Sequence, residues 1–396
     1  MIRFLTAGES HGPSLAVIIE GLPAGLPVTE DLIGEQLARR RLGYGRGPRM
    51  RFERDELRLL GGVRHGRTLG SPVAIEILNT EWPKWEQEMS AAPGKPETRL
   101  TKPRPGHADM AGVQKYGFDD ARDVLERASA RETAARVAAG ALAKALLHTI
   151  GVDVVSHVIR IGAAATPPGL RPLPGDLERV DASEVRCLDV ESEAAMVREI
   201  KAAAKVGDSL GGVAEVIAYG VPVGLGSHVH WDRKLDGLLA GAIMSIQAVK
   251  AVEIGDAIAQ AALRGSVAHD AIAVDESHGL GGGFVRRSDH AGGLEGGISS
   301  GAPIIVRAIM KPLATLNRPV LETVDIDTRE TAISFKERTD VTAVPAMGVV
   351  AEAMVALVLA REAQRKFGGD SVDEFTRNHA GYLSHLGTTP SGPRAV

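Results

Sequence analysis

The chain has one cysteine in 396 residues, Cys187, so no intramolecular disulfide can brace it; a reducing compartment is expected, and cysteine catalysis is not. Aromatic residues make up only 4%. A core must therefore be built chiefly from Ala, Val, Leu and Ile on closely approaching backbones, which the 46 glycines permit. Excess charge is also missing: the formal net charge is −4, which gives no general attraction to nucleic acid or to an anionic membrane. No uninterrupted apolar run reaches the roughly 20 residues of a bilayer span. The first residues carry Arg3 but neither the apolar stretch nor the small-residue cleavage site of a secretory leader, so the expectation is a cytoplasmic protein. What remains, 44% hydrophobic and 24% charged residues, suits a globular chain with a sizeable core.

Runs rich in β-branched residues predict strands over 14–20, 71–78, 152–161, 213–219 and 303–309, spaced too irregularly for repeated βαβ units. A helix is predicted from Ser129, where Ser129 and Glu132 form a capping-box pattern. Its small-residue face is Ala134, Val137, Ala138, Ala141, Leu142 and Ala145, and it ends before Gly151. Further helices are predicted over 234–250 and 345–367, the latter stopped by Gly368-Gly369. Residues 80–106 hold Trp82, Trp85 and several prolines without either period, and they abut His107, as a lid would. Residues 163–184, with Pro167, Pro168, Pro172 and Pro174, read as a surface excursion. The polar tail 386–396 reads as disordered, leaving 1–385 as a single catalytic domain with a variable stretch at 163–200.

Gly8-Glu9-Ser10-His11-Gly12 places an imidazole between glycines at a strand boundary, free to meet a ligand. A titratable group beside glycine returns at Arg104-Pro105-Gly106-His107-Ala108-Asp109. Seven arginines, Arg39, Arg40, Arg41, Arg46, Arg49, Arg51 and Arg54, are interleaved with Gly43, Gly45 and Gly47. Guanidinium grips carboxylate or phosphate with paired donors, and glycine lets several converge on one small polyanion, although a solvated basic face would use the same residues. Ser129 at a helix start is either a plain N-cap or an anion site. Gly296, Gly297 and Gly301, before an apolar strand and Lys311, read on their own as a hairpin turn.

Two rival readings use other residues. His228, His230 and Asp232 alternate and could share one face of a strand around a divalent metal, giving a metal-dependent hydrolase. The further ligands that such enzymes place at later strand ends are not evident, so a strand end leading into the 234–250 helix is preferred and no metal site is assigned. A non-enzymatic phosphoanion-binding module built on the arginines would leave His11 and His107 unexplained. Glu-Ser-His-Gly recurs at 276–279 without matching flanks, so His278 receives no catalytic role.

Taken in chain order, Gly8–Gly12, Arg39–Arg46, Arg104–Asp109, Arg127–Thr133, Gly226–Asp232, Ser245–Lys250, Ala291–Gly301, Lys311-Pro312 and Arg338–Asp340 resemble the signature of the chorismate synthase family. The resemblance implies an α+β fold in β-α-α-β layers, antiparallel sheets enclosing helices, commonly assembled as a homotetramer. It implies a lyase that carries out a 1,4 (anti) elimination of phosphate from 5-enolpyruvylshikimate 3-phosphate, giving chorismate for aromatic amino acid biosynthesis. Reduced FMN would be required but not consumed, kept reduced by an external flavin reductase drawing on NADPH. By resemblance His11 (on the flavin N1 side), His107 (at the departing phosphate) and Asp340 (near the flavin N5) are catalytic. Ser10, Arg40, Arg46, Arg49 and Arg131 would meet the substrate, with Arg40 and Arg46 also beside a nicotinamide position. Arg127, Ala128, Ser129, Gln247, Ala248, Gly296, Lys311, Pro312, Leu313, Ala314, Thr315 and Arg338 would hold the flavin. Ala128 and Asp289 stand where many members carry serine and asparagine.

Overall fold

Leu15, Val17 and Ile19 alternate inward along one strand while Ala16 and Ile18 turn away from the core, the period of a half-covered antiparallel sheet. The computed structural model describes residues 1–46, 55–275, 280–335 and 339–387. Strands β1 (Arg3–Ala7), β2 (Ser14–Glu20), β3 (Leu57–Gly61) and β4 (Val73–Leu78) form an antiparallel sheet in the order β1-β2-β4-β3. A second antiparallel sheet, ordered β8-β9-β7-β5-β6, is built from β5 (Asp153–Ile161), β6 (Ala164–Ala165), β7 (Gly212–Tyr219), β8 (Val249–Ile254) and β9 (Ile304–Met310). The longer helices are α1 (Glu30–Arg40), α2 (Asp109–Tyr116), α3 (Arg122–Ala128), α4 (Thr133–His148), α5 (Val190–Val206), α6 (Leu235–Met244), α7 (Val344–Phe367) and α8 (Val372–Gly387).

Helix α4 lies on β2 and β4, with α1 beside it; α7 packs on α4 and, across its other side, on β5, β7 and β9. The layers therefore run sheet, α1 with α4, α7, sheet, which is the β-α-α-β architecture expected. Small residues make the helix layers possible: a Cβ added at Gly140 of α4 would stand 2.3 Å from the Cβ of Ala353 in α7. Helix α7 is apolar enough and long enough to cross a bilayer, yet 94% of its apolar window is buried inside the protein. A helix apolar on all sides belongs in such a position.

A carboxylate interrupts the apolar stretch of that helix midway. Glu352, 1% exposed, accepts hydrogen bonds from Arg39 of α1 (2.8 and 2.9 Å), Lys144 of α4 (2.8 Å), Ser156 of β5 (2.6 Å) and Arg186 (3.2 Å). Asp181 holds the other edges of both arginines, at 2.6 Å from Arg39 and 2.8 Å from Arg186. Burial alone would push the Glu352 carboxyl up, but the surrounding cations hold it well below the usual glutamate range. Arg39 is thus turned into the core and does not join the anion-binding set proposed from the arginine run.

The strands predicted at 14–20, 71–78, 152–161, 213–219 and 303–309 are present within two residues. Helix α4 starts later than predicted. Ser129 caps a 3₁₀ turn over Ala130–Glu132 by accepting from the Arg131 N–H, while the Glu132 carboxylate is drawn away to Thr6, Arg136 and Gln247, so the reciprocal half of the capping box is not made. The helix predicted over 234–250 stops at Met244, because the chain turns through Ala248 (φ 65°) into β8. The 163–184 stretch is not purely superficial: it includes a helical turn at Leu177–Ala182 and leads into the buried Val185, Arg186 and Cys187, whose thiol burial pushes up to about 11. The tail beyond residue 387 lies outside the described residues, as do 276–279 with His278.

Replacing Glu352 by Gln should leave Lys144 without its carboxylate and the buried Arg39 and Arg186 with Asp181 as their shared counter-charge, and cost about 3–5 kcal/mol at neutral pH. The Glu352 pKa is depressed on folding, so its contribution is complete above the ordinary glutamate range and fades as pH falls toward its folded value. Thermal melts of the two proteins should therefore differ most at neutral pH and converge on acidification; a gap that widens toward acid pH would contradict this.

Candidate active site

A cavity of about 770 Å³ opens where the end of α1, the 10–11 turn, the junction of α3 and α4, the 245–250 turn, the end of β9 and the start of α7 meet. Its cationic lining, Arg40, Arg46, Arg104, Arg131, Lys250 and Lys311, faces two carboxylates, Glu81 and Asp340. Met310, Leu313, Ala314, Ala343, Ala346, Met347 and Val350 give the lining an apolar part. Of the residues picked out in the sequence, Ser10, His11, Arg40, Arg46, His107, Ala128, Ser129, Arg131, Gln247, Ala248, Lys311, Leu313, Ala314, Thr315 and Asp340 all line it.

His11 sits in a turn that only glycine could open, since a Cβ at Gly8 (φ 100°) would lie 2.4 Å from the Ser14 carbonyl. Its Nδ1 lies 3.0 and 2.9 Å from the two oxygens of Glu126, and its backbone N–H donates to the same carboxylate at 2.9 Å. Asn79 pins the turn from below, donating to the carbonyls of Glu9 (3.1 Å) and Gly12 (2.7 Å). Burial opposes ionisation of Glu126, but the bonds and charge of His11 and the nearby Arg122 lower its pKa.

His107 is held in the same manner from another part of the chain. Its Nδ1 makes a short hydrogen bond to Asp109, the first residue of α2, which is fully buried and also accepts from the Arg104 backbone N–H (3.1 Å) and Nε (2.9 Å). Burial works against the Asp109 charge; the hydrogen bonds from His107 and Arg104 outweigh it and hold the carboxyl well below the usual range. With Nδ1 engaged, Nε2 is the His107 nitrogen left for a ligand. Arg104 also donates to Thr315 (3.0 Å), and the Lys311 ammonium bonds the Gly106 carbonyl, so the 104–109 and 311–315 segments form one wall.

Arg40 is fixed by Thr133 and the Ala130 carbonyl, both at 2.9 Å, and Arg131 by Asn79 (3.0 Å), Asp55 and the Leu78 carbonyl. Asp340 pairs with Arg46 at 3.2 Å. Three predicted residues, Arg127, Gly296 and Pro312, do not line the cavity. Arg127 spends its guanidinium on the carbonyls of Thr6 (2.9 Å) and Gly8 (3.0 Å), supporting the His11 turn from outside the cavity. Gly296 is exposed at the tip of the Leu294-Glu295/Ile298-Ser299 hairpin, and Arg49 and Arg338 lie outside the described residues. Pro312 bridges lining residues without lining the cavity itself.

His228 and His230 do not occupy a strand. They are exposed ahead of a 3₁₀ turn at Trp231–Arg233, where His230 only pairs with Asp232 (2.8 Å), and among the described residues no three His, Cys, Asp or Glu side chains converge as metal ligands would. The hydrolase alternative therefore has no supporting geometry. Sequence reasoning gave no role to Glu126, Asp109, Asn79 or Trp85. Asp109 closes the 104–109 motif two residues from His107, a spacing that was the available signal, whereas Glu126 precedes the Arg127 motif but reaches His11 from 115 residues away.

The cavity fits a flavin. Its apolar side chains can cover a fused ring and its cations can meet a phosphate, and the buried Oε1 of Gln247 has no hydrogen-bond partner among the described residues, an acceptor left for a ring N–H.

Residues 2–363 match the family model for chorismate synthase. The chain is 60% identical to a chorismate synthase of Streptomyces coelicolor, over 97% of this chain and 98% of that one, and 61% identical to one of Salinispora tropica, over 98% and 99%. A crystal structure of a chorismate synthase superposes with a TM-score of 0.78 at 40% identity, covering 98% of each chain.

Asp109→Asn removes the charge that orients His107 and that also pairs with Arg104, while the amide oxygen keeps an acceptor for the Arg104 backbone N–H. Turnover in the relatives' reaction should fall by about 10²-fold in kcat with KM within about twofold. A rise in KM at unchanged kcat would instead assign Asp109 to ground-state binding.

Proposed function

The chain belongs to the chorismate synthase family, and on that footing we propose which of its residues perform each part of the reaction. It is a carbon–oxygen lyase that eliminates phosphate from 5-enolpyruvylshikimate 3-phosphate to form chorismate, and the family's reaction requires a reduced flavin. The reaction removes phosphate from C3 and hydrogen from C6, so the ring becomes electron-poor as phosphate departs. A reduced flavin, when bound, supplies electron density to that ring without net oxidation.

His107 is the acid at the departing phosphate, using Nε2 because Asp109 holds Nδ1. His11, braced by Glu126, works on the flavin side, and Asp340, paired with Arg46, is the third catalytic residue. Ser10, Arg40, Arg46 and Arg131 neutralise and orient the substrate carboxylates and phosphate, with Arg49 joining from outside the described residues. The flavin is FMN, held by Ala128, Ser129, Gln247, Ala248 and the 311–315 wall, with Lys311 as the point charge for its phosphate. An external NADPH-dependent reductase keeps it reduced. The observation that carries this reading is the convergence of two histidines, each with Nδ1 on a buried carboxylate, on one cationic cavity.

The chain works in the cytoplasm as a homotetramer, organised as one catalytic domain with 80–106 as its lid. The exposed apolar side chains Leu5 and Leu60 on the first sheet, and Ile272, Val274 and Phe284 on a two-stranded hairpin, are surfaces for that assembly.

Under strictly anaerobic conditions, chorismate should form from substrate only when reduced FMN is present, with no reducing equivalents consumed per product. Formation with oxidised FMN and no reductant would falsify the cofactor assignment.

A further inference from the structure

The strongest unassigned contact at the cavity is aromatic. Trp85, on a single helical turn within 80–106, stacks on the His11 ring with centroids 4.1 Å apart and planes at 27°. The Arg122 guanidinium lies 5.0 Å from the centre of the same indole, donates to Glu126 at 3.2 Å and pairs with Glu88 at 3.3 Å. Trp85, His11, Glu126 and Arg122 thus close a ring of contacts, to which Glu88 is joined through Arg122. Trp85 and Glu88 come from the irregular 80–106 segment, and the other three come from the His11 turn and α3.

Two of the contacts on the imidazole restrain it in different directions. Glu126 fixes Nδ1 along the ring plane, and Trp85 fixes the tilt of that plane by covering a face. A carboxylate bond alone lets a ring pivot about the Nδ1 axis; a stacked indole removes that freedom. Arg122 links the restraints, since it touches both the carboxylate and the indole.

We propose that Trp85 is a positioning residue for His11, so that docking of the 80–106 segment and correct aim of the His11 imidazole are one event. Undocking the segment would strip the indole from His11 and the Glu88 charge from Arg122 together, releasing the ring from its working orientation. The assignment rests on His11 taking part in the elimination, but the stack itself can be read without turnover.

Trp82 and Trp231 are the chain's other tryptophans, so a Trp82→Phe/Trp231→Phe protein reports Trp85 alone. An imidazole stacked on indole quenches its fluorescence, so the emission of this protein should rise on His11→Gln. In the otherwise native enzyme, Trp85→Leu should lower kcat by about tenfold with KM for substrate and FMN within about twofold, and Trp85→Phe, which keeps a stacking face, should recover to within about threefold of the parent. Emission unchanged by His11→Gln, a Trp85→Leu enzyme with native kcat, or a Trp85→Phe enzyme as slow as Trp85→Leu would each overturn the proposal. Loss of all activity in the parent would instead strike the enzymatic reading and leave the fluorescence result standing.

Discussion

Glu352 is a single negative charge at the centre of a helix otherwise made to be buried, and three cations from three other parts of the chain meet on it. Two sheets and two helix layers could slide over one another if the contacts between them were only Ala and Val. Directional, charge-assisted bonds from α1, α4, β5 and the Arg186 turn to one carboxylate fix that sliding, because any shift leaves a buried charge without its partner. The Ala353 and Gly140 contact one residue along α7 sets the spacing, and Glu352 sets the register.

The active cavity inherits this alignment. Arg39 and Arg40 are adjacent, yet one is anchored to Glu352 in the core and the other to Thr133 at the cavity, so the end of α1 is clamped from both sides. The same device recurs at smaller scale around the histidines. Buried carboxylates, Glu126 and Asp109, stay ionised because their cationic and imidazole partners outweigh the cost of burial, and each then fixes an Nδ1. The charged groups of the site are held by other charged groups, which suits a polyanionic substrate that must be neutralised without rearrangement of its binder.

Much of this was legible in the sequence where a motif is contiguous. Strands with a period of two, α7 with its Gly368 stop, and the cavity residues of the 8–12, 104–109, 127–133 and 311–315 segments could be read from local pattern and resemblance. What local pattern could not supply was partner choice. Arg39 looked the same as Arg40, and only the distant Glu352 takes it from the anion site. Ser129 and Glu132 had capping-box spacing, but Thr6, Arg136 and Gln247 compete for the glutamate. His228 and His230 had the spacing of metal ligands on a strand, but no strand forms there. Ala248 adopts a left-handed conformation that its residue type disfavours, so the break before β8 was invisible to propensity.

The central claim is that imidazoles held at Nδ1 by buried carboxylates perform the proton work of phosphate elimination in this cavity. Anaerobic single-turnover measurement of chorismate formation by His107→Ala and His11→Ala, with reduced FMN and substrate prebound, tests it most directly. The account predicts a chemical step slowed by roughly 10²- to 10⁴-fold in each variant, with circular dichroism unchanged. A step of native speed in either folded variant would contradict the role given to that histidine.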